Sequence, residues 1–189
     1  IQTLITRDQF KITTWKNGAG QTAEIAINPK DADFRHGDFK WRLSSARIES
    51  ENQFSQFPNY SRILTILSGE GLLINNQELG PFEVFEFEGE DKIDCAPISG
   101  PVEDLNVILL RDQYRASIQL LNLMKMTEFK LEEGVHFFLP LLSQVNIADI
   151  EFFPPDLLKV EGSGSLKISA EEYPAPILWI RIWEKTVVQ

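Results

Sequence analysis

Apolar stretches in this chain are short, and turn-forming residues close each of them. Runs of roughly four to eight residues rich in Ile, Leu, Val and Phe alternate with Gly, Pro, Asn and Asp, and helical periodicity is nearly absent. Such a chain must bury its apolar residues by pairing strands. Strands are predicted at Phe39–Ile48, Arg62–Leu67, Leu72–Ile74, Pro81–Glu88, Lys92–Cys95 and Asp104–Arg111. Ser68-Gly69-Glu70-Gly71, Asn75-Asn76 and Ser99-Gly100-Pro101 supply turns between them, and Asn28–Asp38 reads as a polar loop. Gln53–Tyr60 reads as an aromatic loop stopped by Pro58. The expected class is all-β, a sandwich or barrel.

At 189 residues the chain is long enough for one large all-β domain or two small ones. A weak repeat favours two. Phe87-Glu88-Gly89 followed by Ile93 recurs as Val160-Glu161-Gly162 followed by Leu166, and Leu105–Arg111 is echoed by Ile177–Trp183. The order of short strands, with glycine at the corners, resembles a cupin, a small antiparallel jelly-roll barrel. The expectation is a cupin-like double barrel (a bicupin): residues 1–112 form an N-terminal barrel with a ligand pocket. Residues 113–189 form a degenerate, structural C-terminal barrel.

Twenty-eight acidic against 18 basic residues give a net charge of −10, with no Lys/Arg stripe. Long-range repulsion disfavours DNA, RNA and anionic lipid. No apolar run approaches a membrane span, and no basic-then-apolar leader is read. Cys95 is the single cysteine, so no intrachain disulfide is expected; its alternating neighbours read as a buried core thiol. A cytoplasmic location follows as an expectation. His36 and His136 are far apart, and neither has a second imidazole or thiolate nearby. No metal and no cofactor are therefore expected.

The candidate chemistry lies in the first half. Asn17-Gly18 is a strong hairpin signal between the strand-like runs Phe10–Trp15 and Thr22–Ile27. Trp15, Lys16 and Asn17 before the turn, with Thr22 and Glu24 after it, read either as a structural hairpin or as one that also delivers ligand contacts. Side chains alternate across a strand. One face then carries Thr22, Glu24 and Ala26; Arg42, Ser44, Ala46 and Ile48; Arg62, Leu64 and Ile66; and Asp104, Asn106, Ile108 and Leu110. Each set is polar at one end and small or aliphatic at the other, which predicts a polar mouth above an apolar floor. Ile25, Leu43, Ile63 and Val107 make the opposite faces apolar too, so parity alone leaves open which side is inside. Lys16, Arg42 and Arg62 against Glu24 and Asp104 suit a small molecule bearing both signs, with a slight excess of negative charge. Trp15 is a candidate wall; Trp41, of opposite parity to Arg42, is either wall or core.

Several motifs resemble the HutD/Ves family. They are Trp15-Lys16-Asn17 before a glycine run (here with Ala19 in its middle) and Thr22-x-Glu24, then Trp41-Arg42-x-Ser44-x-Ala46 and Phe54-Ser55-x-Phe57-Pro58. Arg62, Gly69-x-Gly71, Gly89 and Gly100-Pro101-x-x-Asp104-x-Asn106 follow in order. The resemblance covers most of residues 10–111 and implies a two-barrel cupin. It places Asp104 where metal-holding cupins carry a histidine, which implies an organic ligand rather than a metal. The family's association with histidine utilisation suggests an acidic intermediate such as formiminoglutamate, bound for sensing or regulation. The implied ligand-binding residues are Trp15, Lys16, Asn17, Thr22, Glu24, Trp41, Arg42, Ser44, Arg62, Asp104 and Asn106. The alternative is a metal-free hydrolase or isomerase using Glu24 and Asp104 as acid and base. A homodimer through Phe54–Tyr60 or Trp179–Trp183 is a further possibility, set against plain core packing.

Overall fold

The structure, a computed structural model, describes residues 1–15 and 20–186. The described chain is almost entirely strand, as its short apolar runs require, and it divides into two compact units. One comprises Phe10–Tyr114; the other joins Ile1–Gln9 to the residues from Arg115 onward.

The chain opens with β1 (Gln2–Ile5), then enters the first unit. There β2 (Lys11–Thr14), β3 (Gly20–Asn28), β4 (Trp41–Ile48), β5 (Asn52–Gln53) and β6 (Tyr60–Ser68) lead to β7 (Leu72–Ile74) and β8 (Gln77–Leu79). The unit is completed by β9 (Val84–Glu88), β10 (Asp94–Pro97) and β11 (Val102–Leu110). A six-stranded sheet runs in the order β2-β3-β4-β11-β6-β9, and a four-stranded sheet in the order β5-β10-β7-β8. Between them pack Ile48, Leu64, Ile66, Leu72, Ile74, Phe87, Cys95 and Val102. Burial pushes the Cys95 thiol up to about 12, in keeping with a core role. Asn75 and Asn76 take positive φ in the two-residue turn from β7 to β8, a conformation asparagine tolerates well.

The second unit contains β12 (Tyr114–Leu123), β13 (Thr127–Leu131), β14 (Val135–Pro140), β15 (Val145–Ile147) and β16 (Ile150–Phe152). It closes with β17 (Leu157–Glu161), β18 (Gly164–Ala170) and β19 (Ala175–Glu184). Its sheets run β1-β17-β14-β19-β12 and β13-β18-β15-β16. The second order repeats β5-β10-β7-β8 strand for strand, and β17-β14-β19-β12 repeats β9-β6-β11-β4. The sequence echo between Leu105–Arg111 and Ile177–Trp183 is thus the echo of β11 in β19. Phe129 packs edge-on against Phe138 and Trp179, filling the interior. His136, fully buried, accepts from Trp179 Nε1 at Nδ1 (3.2 Å) and donates from Nε2 to the Glu132 carbonyl (2.9 Å). Burial also lowers its pKa, so the ring is neutral.

The unit boundary differs from the sequence division at 112/113. Residues 1–9 leave the N-terminal barrel because β1 pairs antiparallel with β17, Gln2 opposite Val160 and Ile5 opposite Leu157. Four residues of strand carry no local signal of which distant edge they will join.

Gly89 ties the aromatic loop to the six-stranded sheet. Its N–H donates to the Tyr60 carbonyl and its carbonyl accepts from Phe57 N, both at 2.7 Å. A Cβ here would meet Phe57 O at 2.0 Å and Tyr60 O at 2.8 Å. Gly89→Ala is expected to cost about 1–3 kcal/mol, as overpacking does. Urea denaturation followed by far-UV circular dichroism measures it; an unchanged midpoint would show that the loop is not clamped there.

Candidate ligand-binding site

The register of β11 between β4 and β6 builds the site. On the face shared with the core, Ile108 stands between Arg42 and Arg62, Asn106 between Ser44 and Leu64, and Asp104 between Ala46 and Ile66. Beyond β4, Thr22 lies opposite Ala46 and Glu24 opposite Ser44. These three cross-strand rows floor a cavity of about 490 Å³, also lined by Trp15, Phe34, Phe54 and Phe57.

The rows correct the polar mouth expected from parity. Because β11 runs antiparallel to β4 and β6, its polar end meets their apolar ends. Two guanidiniums therefore stand at one end of the cavity floor and one carboxylate stands at the other. On β3 a bulge between Glu24 and Ala26 shifts the alternation, so Ile27 rather than Ala26 comes opposite Arg42. Ile27 then packs with Phe39, Tyr60 and Ile108 under the cationic end.

Both arginines are buried, and each is held by a hydrogen bond and ring faces. Arg42 donates from Nε to Glu24 Oε2 at 2.7 Å, and its guanidinium carbon lies 4.1 Å from the centre of the Phe34 ring. Arg62 sits among Phe87 (4.7 Å), Phe54 (5.1 Å) and Phe57 (5.6 Å), and donates from Nη1 to the Ser55 carbonyl at 2.9 Å. Its Nε approaches Asn106 Oδ1 at 3.5 Å. Ring faces are negative and soften the loss of water around a guanidinium, each contact being worth about 0.5–2 kcal/mol. Burial lowers the Arg62 pKa to about 10, opposed by Asp104, which leaves a cation at neutral pH. Among the described residues no hydrogen-bond partner holds the Nη atoms of Arg42, Asn106 Nδ2 or the second oxygen of Asp104.

Asp104 is 1% exposed, and its Oδ1 accepts from the Ala46 N–H at 2.8 Å. No arginine or lysine reaches ion-pair distance of it among the described residues. Burial pushes its carboxyl up to about 7, against the pull of the Ala46 N–H and the Arg62 charge. Trp15 donates from Nε1 to Thr22 Oγ1 at 2.8 Å, which fixes the indole at the Asp104 end.

The cavity thus gathers Trp15, Thr22, Arg42, Ser44, Arg62, Asp104 and Asn106 from the expected set. Glu24 lines an adjoining recess of about 360 Å³ with Lys11, whose Nζ lies 3.7 Å from its Oε1, while its Oε2 accepts from Arg42 Nε at 2.7 Å. Glu24 positions that guanidinium. Trp41 is buried on the opposite face of β4, outside the cavity lining, because it alternates with Arg42. Lys16 and Asn17 lie outside the described residues. Sequence reasoning missed Phe34, Phe54 and Phe57 as partners of the guanidiniums. Phe34 is a lone ring within the polar stretch Asn28–Asp38, and the composition of Phe54–Tyr60 fits surface or core packing as well as a site.

One carboxylate at the far end of a cavity from two guanidiniums is a poor donor set for a divalent or transition metal, which needs several anionic or imidazole ligands turned to one point. Among the described residues no three His, Cys, Asp or Glu side chains cluster to supply them. No helix is long and apolar enough to cross a membrane among these residues.

Paired antiparallel sheets in each unit, enclosing a cavity in the first, define a cupin-like double-barrel protein. Within that class the family is specific. The HutD family model matches residues 7–174, and the chain belongs to that family. It is 39% identical over 121 residues to an uncharacterised 21.2 kDa protein of the hutC 3′ region of Pseudomonas putida, covering 61% of this chain and 62% of that protein. The match thus spans less than two thirds of that relative. Protein Ves of Citrobacter koseri is 31% identical over 135 residues, 68% of each chain. The structure of HutD from Pseudomonas fluorescens SBW25 superposes with a TM-score of 0.81 at 27% identity, covering 98% of this chain and 100% of that one.

A raised carboxyl pKa has a definite consequence for stability. Folded Asp104 holds its proton where the unfolded residue, with a pKa near 3.9, has lost it. Between about pH 4 and 7 the folded chain binds more protons, so this group's contribution falls as pH rises. Asp104→Asn keeps an acceptor for Ala46 and removes the charge. It is expected to raise unfolding stability by about 2–4 kcal/mol at pH 8 and by little at pH 4. Denaturant titrations at both values measure it; equal effects would show that Asp104 is not held near neutrality.

Proposed function

We propose that the first barrel binds a small acidic metabolite of histidine degradation, of the formiminoglutamate type, and serves a sensing or regulatory role without consuming it. The observation that carries this reading is the pair of buried guanidiniums, Arg42 and Arg62, stacked on aromatic rings beside one cavity. Burying two like charges is costly, and a ligand carboxylate bridging their open N–H groups offsets that cost with charge-assisted hydrogen bonds. A volume of about 490 Å³ suits a metabolite rather than a polymer. The link to histidine utilisation is supported by the names of the hutC-region and HutD relatives. A regulatory role is favoured over turnover by a cavity lining that, among the described residues, offers no histidine or cysteine as base or nucleophile.

One observation favours a second reading. A buried carboxyl near its midpoint at neutral pH is suited to general acid–base work, so Asp104 would serve a metal-free hydrolase or isomerase. Proton NMR of candidate acids incubated with the protein separates the two. Substrate loss that disappears in Asp104→Asn would replace the sensor by the enzyme.

Calorimetry with formiminoglutamate, urocanate, histidine and glutamate tests the binding claim. Formiminoglutamate is expected to bind, and Arg42→Gln to weaken it by roughly 10- to 150-fold, the loss of about 1.5–3 kcal/mol of charged hydrogen bonding. Absence of heat for all four, with folded protein at high concentration, removes the proposal.

A further inference from the structure

Cation recognition at the end of the cavity opposite the arginines needs its own account. Asp104 and Ile108 are four residues apart on β11, about 13–14 Å along an extended strand, so the two ends are resolved by roughly the length of a small metabolite. Ile108 is flanked by Arg42 and Arg62, whereas Asp104 is flanked by Ala46 and Ile66. No cation of the described protein is within ion-pair distance of Asp104, and one of its oxygens has no hydrogen-bond partner there. Thr22, in the same cross-strand row, holds the Trp15 indole at this end through its hydroxyl. A buried carboxylate with one oxygen open to the cavity and no cation of the described protein beside it is suited to a positively charged group.

We propose that the Thr22–Ala46–Asp104 end of the cavity is a cation subsite, in which the Asp104 carboxylate takes a positively charged nitrogen of the ligand. It rests on the binding reading above and adds to it a rule of selection. Among ligands with the same acidic portion, the protein takes the one whose far end is an amidinium or ammonium and rejects the isosteric neutral amide. The arginine end holds the carboxylates; the Asp104 end decides which acid is accepted.

The subsite also ties selection to protons. The charged and titratable groups acting on Asp104 are Arg62 from β6, Cys95 from β10 and, on its own strand, Glu103. Arg62 keeps its charge across the neutral range, and the Cys95 thiol stays protonated there. Asp104 is the group in this set that changes state near pH 7. Ionised, it pairs with a cation; protonated, it does not, and it then offers an O–H to an amide carbonyl instead. Preference for the cationic ligand should fall as pH falls, by up to about tenfold per unit below the Asp104 midpoint.

The test compares formiminoglutamate with N-formylglutamate, which replaces the cationic nitrogen by a carbonyl oxygen at nearly constant shape. Affinities of the wild-type chain are measured by calorimetry at pH 6 and pH 8.5. The expected result is a preference of at least tenfold for formiminoglutamate at pH 8.5, shrinking severalfold or more at pH 6. In Asp104→Asn the preference should collapse to within threefold and lose its pH dependence. Binding of both ligands with a ratio that is flat in pH, or a ratio retained in Asp104→Asn, overturns the cation subsite and leaves the binding reading intact. Binding of neither ligand overturns both. The wild-type pH series decides the matter if the variant does not fold.

Discussion

Cross-strand registry sets everything that is distinctive about this cavity. With Arg42 and Arg62 opposite Ile108, and Ala46 and Ile66 opposite Asp104, the floor has its positive and negative ends on different rows. A shift of one residue in β11 would turn its polar residues to the other face, where Leu105, Val107 and Leu109 are buried. Charged groups on that face would have no cavity to open into. Those three apolar residues, together with Leu43 and Ile63 on the same side of the sheet, are therefore what holds the site in place.

The cost of the site is borne by its loops. A guanidinium at the floor of a barrel loses much of its hydration, and the sheet itself returns little. Phe34, in the connection between β3 and β4, and Phe54 and Phe57, between β5 and β6, lay ring faces near the two guanidiniums. Glu24 and the Ser55 carbonyl each take one N–H. The remaining N–H groups stay open to the cavity, so the cations are stabilised without being neutralised. Gly89 belongs to this design, because the Phe57 carbonyl approaches its α-carbon more closely than any side chain allows. Asp104 receives less compensation, a single backbone N–H, and its raised pKa reflects that imbalance.

Much of this was legible from residue order. Short apolar runs required strands, the echo of Leu105–Arg111 in Ile177–Trp183 pointed to two related units, and alternation assigned Thr22, Arg42, Ser44, Arg62, Asp104 and Asn106 to one face. What alternation cannot express is direction. Reading each strand from its own polar end suggested one polar mouth, but antiparallel neighbours reverse that order, and only the pairing of Asp104 with Ala46 reveals two poles. The bulge at β3 is likewise invisible in Glu24-Ile25-Ala26, whose composition fits an unbroken strand. Buried residues on both faces of β4 and β11 left the side of Trp41 open, and the partner of β1 depends on an edge more than 150 residues away. These are non-local facts, and short-range propensity has no access to them.

The two units show why a repeated fold need not repeat a site. Each has the same four-strand order in its smaller sheet and the same four consecutive strands in its larger one. In the second, the positions facing the interior carry Phe138 and Trp179, with His136 held neutral between Trp179 and the Glu132 carbonyl. Phe129 closes on these rings, and the space is spent on packing. Among the described residues the second unit also has no counterpart of the β2–β3 hairpin beside β12, the strand equivalent to β4. In the first unit that hairpin brings Trp15 and Thr22 to the Asp104 end and Glu24 to Arg42. A cavity with poles therefore takes more than an open barrel: it takes an added pair of strands, and interior residues that decline to fill the space between them.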